Sequence, residues 1–291
     1  MDNLGKYITI LINTCDAYED LWDPFFTLLK RYWNSQGVRI ILNTETKQYA
    51  FDGLDIECVN IGDKQVPYGK RMLHALSKIK TTYVIPLLDD FFLRKPVDEE
   101  HIERIISWME SDKDIVYFNQ DCLETNADWE LNRYPGYKRV PNGTDYVLNM
   151  QAAVWRTKKL IRYWRPNVSP WEWEACCSAK ALHNPKDKFY CLIRYDFAFC
   201  SYGHNKIGDI WGVLRGKWVM SDVEPLFRKE NIVVDFRKRG VYVPESNNNH
   251  KVTFYTGSGI MNRLSSAIRY LGVFGAIKHF CFVIARRLRK K

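Results

Sequence analysis

The 291-residue chain lacks most of the short motifs that announce a chemistry. It has no HExxH, no P-loop, no GxSxG and no GxGxxG. Their absence sets aside the commonest zinc-protease, nucleoside-triphosphatase, serine-hydrolase and dinucleotide-binding signatures. There is no CxxC pair among the eight cysteines at 15, 58, 122, 176, 177, 191, 200 and 281. Disulfide frameworks and thiolate metal sites need clustered or regular spacing, so the cysteines read as buried free thiols in a reducing compartment. No low-complexity tract and no repeat of 20–50 residues occurs, which excludes solenoid and fibrous classes. The opening MDNLGK carries no apolar leader, so no secretory signal is expected. Asn142-Gly-Thr and Asn167-Val-Ser fit the glycosylation pattern but have no bearing in a cytosolic chain.

What is present is ordinary globular material: 46% hydrophobic and 26% charged residues, enough for one large domain with a substantial core. The net charge of +9 is uneven, because RRLRKK at 286–291 supplies five positive charges and Arg263, Arg269 and Lys278 add more. The remainder is nearly balanced. A nucleic-acid-binding face on the fold itself is therefore not expected. The spacing predicts one domain over 1–255 and a basic amphipathic helical tail over 256–291.

The first 118 residues alternate between strand and helix patterns. YITILIN (7–13), VRIILN (38–43), IECVNI (56–61), TYVIPLL (82–88) and DIVYF (114–118) read as strands. Pro86 is awkward for the fourth if it is central. Helices are predicted over 24–34, with Asp23 as N-cap and Pro24 following, over 68–80, and after Asp98. This β-α-β-β-α-β-α-β order argues for an open α/β domain with a mostly parallel central sheet flanked by helices. Residues 119–145 read as a long polar loop, 146–155 as a strand, and Thr157 as the cap of a short helix. Residues 169–183 read as a helix, 189–200 as a strand or hairpin, and 201–250 as mixed.

VIPLLDDFFLRKP (84–96) runs a buried strand straight into two adjacent carboxylates, Asp89 and Asp90. Ligands of such sheets bind outside the carboxyl ends of the strands. Two carboxylates held there repel unless a cation relieves them, and hard oxygen donors suit Mg²⁺ or Mn²⁺. The other reading is a solvated turn.

With TYVIPLLDDFFL stand ITILINTCDAYEDLW, NMQAAVWRTKKL and SPWEWEACCSAKAL, in that order. Together they resemble the GT-A-fold, family 2-like bacterial glycosyltransferases of surface-polysaccharide biosynthesis (capsule and O-antigen clusters), over about residues 7–183. The resemblance implies a nucleotide-sugar half (about 1–118) and an acceptor half (about 119–255). It implies that Asp90, with Asp89, binds a divalent metal, and that Asp89 also meets the nucleotide sugar. The family's usual DxD is shortened here, with Phe91 at the third place. It further implies a general base at the start of the helix after Ser169. Glu174, with Cys177 and Lys180 at the family's offsets, is the first candidate and Glu172 the second. Glu172 also completes a capping box with Ser169. Thr14 falls at the carboxyl end of the first strand and is a nucleotide-sugar-binding candidate on that ground; the resemblance marks Asp16 as nucleotide-binding, with a turn residue the other reading, and Gln151 and Arg156 as acceptor-side residues.

Lys70 and Arg71 open a helix where a diphosphate could meet them. Trp155, Trp171, Trp173, Trp211 and Trp218 are candidates for stacking on sugar rings, with core packing the alternative; Trp171 and Trp173 are taken as the acceptor-binding pair. His204 in SYGHNKIGD is a candidate metal or phosphate ligand. The tail holds Ile268, Leu271, Phe274, Ile277, Phe280 and Phe282, interrupted by basic residues. No uncharged stretch of it reaches the ~18 residues of a spanning helix. Such a segment suits an anionic membrane surface, which implies a cytoplasmic enzyme peripheral on the inner leaflet. The expected function is transfer of a sugar from a nucleotide-sugar donor to a saccharide acceptor, lipid-linked, by an inverting mechanism. The rivals are a nucleotidyltransferase and a non-enzymatic basic protein that binds membrane or nucleic acid.

Overall fold

The computed structural model describes residues 4–33, 37–123, 133–144, 146–203, 212–243, 268, 272–278 and 280–281, with backbone only at 175–179. Its centre is an eight-stranded sheet, β1 (Ile8–Asn13), β2 (Ile40–Asn43), β3 (Ile56–Val59), β4 (Tyr83–Leu88), β5 (Ile115–Asn119), β6 (Tyr137–Val140), β7 (Ala153–Arg156) and β8 (Lys188–Leu192). The spatial order is β3-β2-β1-β4-β7-β5-β8-β6. Four of its seven pairings are parallel, and three are antiparallel. The expected mostly parallel sheet flanked by helices is what the chain forms.

Helices α1 (Trp22–Tyr32), α2 (Tyr68–Lys78), α3 (Glu99–Ser111), α4 (Thr157–Tyr163) and α5 (Pro170–Leu182) cover the sheet. Period-2 alternation splits the strand residues between two cores. Ile8, Ile10 and Ile12 of β1 join Trp22, Phe25 and Leu28 of α1 and Ile102, Ile105 and Ile106 of α3 on one face. Leu11, Ile41 and Val84 join Met72 and Leu76 of α2 and Leu160 of α4 on the other. Each such fully buried aliphatic or aromatic side chain contributes about 1.5–3 kcal/mol of transfer free energy.

Several boundaries differ from the expected ones. A 3₁₀ helix over Asp16–Leu21 runs directly into α1, so Asp23 lies in the first turn and is not the cap. β6 lies inside the stretch expected to be loop, because Tyr137 and Val140 are buried against β8. The strand expected over 146–155 shrinks to β7, since turns and bends occupy 146–151. Thr157 is the first residue of α4 and not its cap; its hydroxyl donates to the Thr81 carbonyl, 3.0 Å away. Asp98 does cap α3, accepting from the His101 N–H at 2.8 Å. Ser169 and Glu172 do form the capping box of α5.

Pro86 is accommodated in a central strand by a local break in pairing. The Tyr83 N–H donates to Tyr7 on the β1 side, so by alternation the nitrogen of Pro86 faces β7. β4 pairs with β7 only at Tyr83 and Val84. Beyond Val84 the ladder between the two strands stops, and the missing proline N–H leaves no ladder bond unmade.

Chain beyond Ser201 returns over the β4 end. β9 (Val213–Leu214) and β10 (Lys217–Trp218) form a hairpin, followed by α6 (Met220–Lys229). Trp218 and Phe227 pack on Phe92 at ring distances of 6.0 and 5.1 Å. A Cβ on Gly212 would stand 3.0 Å from the Asp90 carbonyl and 2.5 Å from the Phe92 ring, so the closeness of this crossing requires glycine. Residues 272–278 and 280–281 are helical, with Phe274, Val273 and Ile277 exposed. Among the described residues no helix is long and apolar enough to cross a membrane.

Candidate active site

The end of the β4–β7 ladder leaves a seam at the carboxyl edge of the sheet, with one group of side chains at the end of β4 and another around the segment that enters β7. On the β4 side, Asp89 follows the last strand residue and is buried. It accepts a short hydrogen bond from the Thr14 hydroxyl, which in turn accepts from the Trp22 indole N–H at 2.9 Å. Trp22, Thr14 and Asp89 thus form a chain that fixes the carboxylate from the end of β1. Burial, then the neighbouring Asp90, holds the Asp89 carboxyl well above the usual range. Burial also pushes Asp90 up to about 6, against the pull of backbone hydrogen bonding and of the Arg239 guanidinium, with Asp222 adding repulsion. Phe91, where a longer acidic motif would put a carboxylate, is 3% exposed and stacks on Tyr202 at 4.3 Å. Packing, not ligand binding, occupies that position.

Arg239 was not legible as a site residue; it lies in the charged run DFRKRG. The structure brings it beside the acidic pair. Its guanidinium binds Asp20 and the carbonyls of Gly216 and Ala17, each at 3.1 Å, and lies 4.2 Å over the Tyr18 ring. Arg239 and Asp16 also border a cleft of about 720 Å³ that Asp89 and Asp90 do not line.

Across the seam stands Glu174, in the second turn of α5, accepting from the Met150 N–H at 2.7 Å. Burial, opposed by that N–H and aided by Asp121, raises its carboxyl to about 7. Asn149, Gln151 and Tyr202 share this side. Tyr202 donates to Gln151 Oε1 at 3.1 Å and accepts from the Ala152 N–H at 3.3 Å. Its ring contact with Phe91 ties the two sides of the seam together.

The other expected site residues fall as follows. Asp16 is committed to the loop after β2: the Thr46 hydroxyl and the N–H groups of Glu45, Thr46 and Lys47 bind its carboxylate. Burial alone would raise it, but those bonds carry it down to about 2. Arg71 is buried and donates to the Thr14 carbonyl at 3.3 Å, while Lys70 beside it is exposed. Glu172 carries out its capping role through the Ser169 N–H at 2.9 Å. Arg156 is at the opposite edge of the sheet. It pairs with Tyr83 at the start of β4 and donates to the Met109 carbonyl at 2.5 Å. Six residue steps at ~3.3 Å each, from Tyr83 to Asp89, put it about 20 Å from the acidic pair, and its guanidinium is taken up by the Met109 and Ile115 carbonyls. Trp173 is likewise core: 1% exposed, stacked on Trp164 at 4.6 Å, with its N–H on the Tyr163 carbonyl. It offers no face to a sugar. Trp155 and Trp218 are also buried, whereas Trp171 is 62% exposed one turn before Glu174. His204 and Trp211 lie outside the described residues.

Among the described residues no group of three or more His, Cys, Asp and Glu side chains is arranged to hold a metal ion. A buried carboxylate beside a half-buried one, both with raised affinity for protons, nevertheless suits Mg²⁺ or Mn²⁺, which use one or two carboxylates and complete their shell with water and substrate phosphate.

No protein-family model matches the chain, and comparison with curated proteins gives no match. Solved structures do align with it. The crystal structure of S. aureus TarS 1-349 is 11% identical at a TM-score of 0.41, with 64% of this chain and 60% of that one covered. The same fragment in complex with UDP-GlcNAc gives 12%, 0.45, and 79% and 67%. The mannosyltransferase PcManGT from Pyrobaculum calidifontis, in complex with GDP-Man and Mn²⁺, gives 11%, 0.40, and 69% and 58%. A cytidylyltransferase from Leptospira borgpetersenii gives 13%, 0.35, and 58% and 68%. At such identities and scores the function has to be argued from the site itself.

Proposed function

We propose that the chain is a glycosyltransferase that moves a sugar from a nucleotide-sugar donor to a saccharide acceptor. The observation that carries this reading is the pair of carboxylate groups facing one seam. Asp89 and Asp90 are clustered and proton-avid on one side, and Glu174 is poised near neutrality on the other. Asp90, with Asp89, would hold a divalent cation, which supplies neutralisation of a leaving diphosphate. Thr14 and Trp22 keep Asp89 oriented. Arg71 and Arg239 bring positive charge to the same edge.

Glu174 takes the proton of an acceptor hydroxyl. A sugar hydroxyl is a poor nucleophile, and a positioned carboxylate with a proton affinity near the working pH is suited to that task. The Met150 N–H holds the carboxylate in place. A single displacement with Glu174 as base inverts the anomeric centre. Trp171, exposed just ahead of Glu174, and Gln151 are the acceptor-side contacts. The acceptor is a lipid-linked saccharide of cell-surface polysaccharide synthesis. The exposed apolar side chains of the basic tail bring the enzyme to the anionic cytoplasmic membrane face, where that acceptor resides.

Calorimetric titration with UDP, GDP, CDP and TDP, each with and without Mn²⁺, tests the reading. Metal-dependent binding of one nucleotide, lost in Asp90→Ala, is expected. Absence of binding to all four under both conditions would overturn it.

A further inference from the structure

Two side chains in the first turn of α2 carry buried polar atoms with no partner: the Tyr68 hydroxyl and the Arg71 Nε. Both side chains are held firmly. The Tyr68 ring leans on Trp164 at 5.6 Å, and the Arg71 guanidinium lies over its face at 5.4 Å. The backbone between them is locked too. A Cβ on Gly69 would stand 2.0 Å from the Arg165 carbonyl, and the Gly69 N–H donates to the Val168 carbonyl at 3.1 Å. The start of α2 is thereby fixed to the segment that leads into α5. This fixing keeps Tyr68 within electrostatic reach of both the strand-end carboxylate and the helix-borne one. Arg71, Asp89, Glu174 and Cys15 are the charged and titratable groups that act on its hydroxyl.

A phenol removed from water and given no protein partner is a standing cost to the fold. Such groups in a well-packed protein call for an explanation, and binding is one. Tyr68 as a residue is half-buried, and its hydroxyl is covered.

We propose that the Tyr68 hydroxyl is a substrate contact, donating a hydrogen bond to a hydroxyl of the sugar being transferred as it lies between Asp89 and Glu174. The contact rests on the glycosyltransferase reading and refines it. It makes Tyr68 a determinant of which hydroxyl pattern is accepted, because a site built to bond a hydroxyl discriminates strongly against its loss.

The test compares wild type with Tyr68→Phe in three measurements. These are the melting temperature, the affinity for UDP, GDP, CDP and TDP, and the affinity and kcat/KM for the hexose conjugate of whichever nucleotide binds. Tyr68→Phe should melt at the same temperature or higher and bind the free nucleotide as wild type does. It should lose at least tenfold in affinity and kcat/KM for the conjugate. A conjugate lacking the contacted hydroxyl should lose the same factor on wild type and nothing further on Tyr68→Phe. Unchanged handling of the conjugate, or a melting temperature lowered by several degrees, would overturn the contact alone. Failure of wild type to bind any nucleotide would overturn the glycosyltransferase reading and the contact with it.

Discussion

Glu174→Gln keeps the shape of the side chain and the Met150 hydrogen bond but removes the proton acceptor. Turnover should fall by about 10²–10⁴-fold, with nucleotide affinity unchanged in the same calorimetric assay. The pH profile carries the matching sign. The base works ionised and its carboxyl titrates near 7, so kcat should rise with pH through about 7 and level off above it. At pH 6 it should be about tenfold below the plateau. Asp90 gives a stability prediction of the opposite character. Its folded-state value of about 6 lies above the ordinary 3.8. The folded state therefore disfavours the ionised form, and stability falls as pH rises from about 4 through 6. Asp90→Asn should raise stability at pH 8 by about 1–3 kcal/mol, read by chemical denaturation, and do little at pH 4. At this scale the sequence was partly legible. Asp89 and Asp90 could be singled out because an apolar run ended in like charges, and Glu174 because its neighbour Glu172 already had a capping job. Arg239 could not, because nothing in DFRKRG says which of its cations will travel back to the end of β4.

Helix α2 and the lead-in to α5 meet backbone to backbone at Gly69, and the relative placement of Arg71 and Glu174 depends on that approach. Gly69→Ala forces a methyl against the Arg165 carbonyl. It should destabilise the protein by about 1–3 kcal/mol and weaken nucleotide binding, a combination read by denaturant titration and calorimetry on one preparation. Ser169→Ala, which removes the cap of α5, should cost about 0.5–2 kcal/mol. The elements of the first 118 residues were legible because periodicity there is strong. β6 was not: YKRV carries no apolar run or clean alternation, and pairing with β8 makes it a strand. β7 was legible only in part, as the end of the strand expected over 146–155, and nothing in the sequence indicates its direction. That shortfall also misplaced Arg156, whose position follows from β7 running antiparallel to its neighbours.

For the whole molecule, the charge of the tail separates membrane attachment from chemistry. Deleting residues 256–291 should leave nucleotide affinity within twofold of the full chain. It should also abolish sedimentation with vesicles containing phosphatidylserine, and added salt should reproduce that loss on the intact protein. The overall α/β layout was readable from alternation of strands and helices. The return of residues 212–243 over the acidic pair was not, since contacts such as Arg94 with Asp222 and Phe92 with Trp218 join positions more than a hundred residues apart.

Pro86 has a consequence for how the seam behaves over time. Strand pairing propagates like a zipper, each rung lowering the cost of the next, and thermal motion would keep closing a gap between two adjacent strands that could pair. Pro86 removes a tooth on the edge facing β7, directly after the last paired residue, Val84. Closure cannot advance past it, whatever the surrounding loops do. The end of the ladder is therefore written into the covalent chain, and it does not have to be re-established at each cycle.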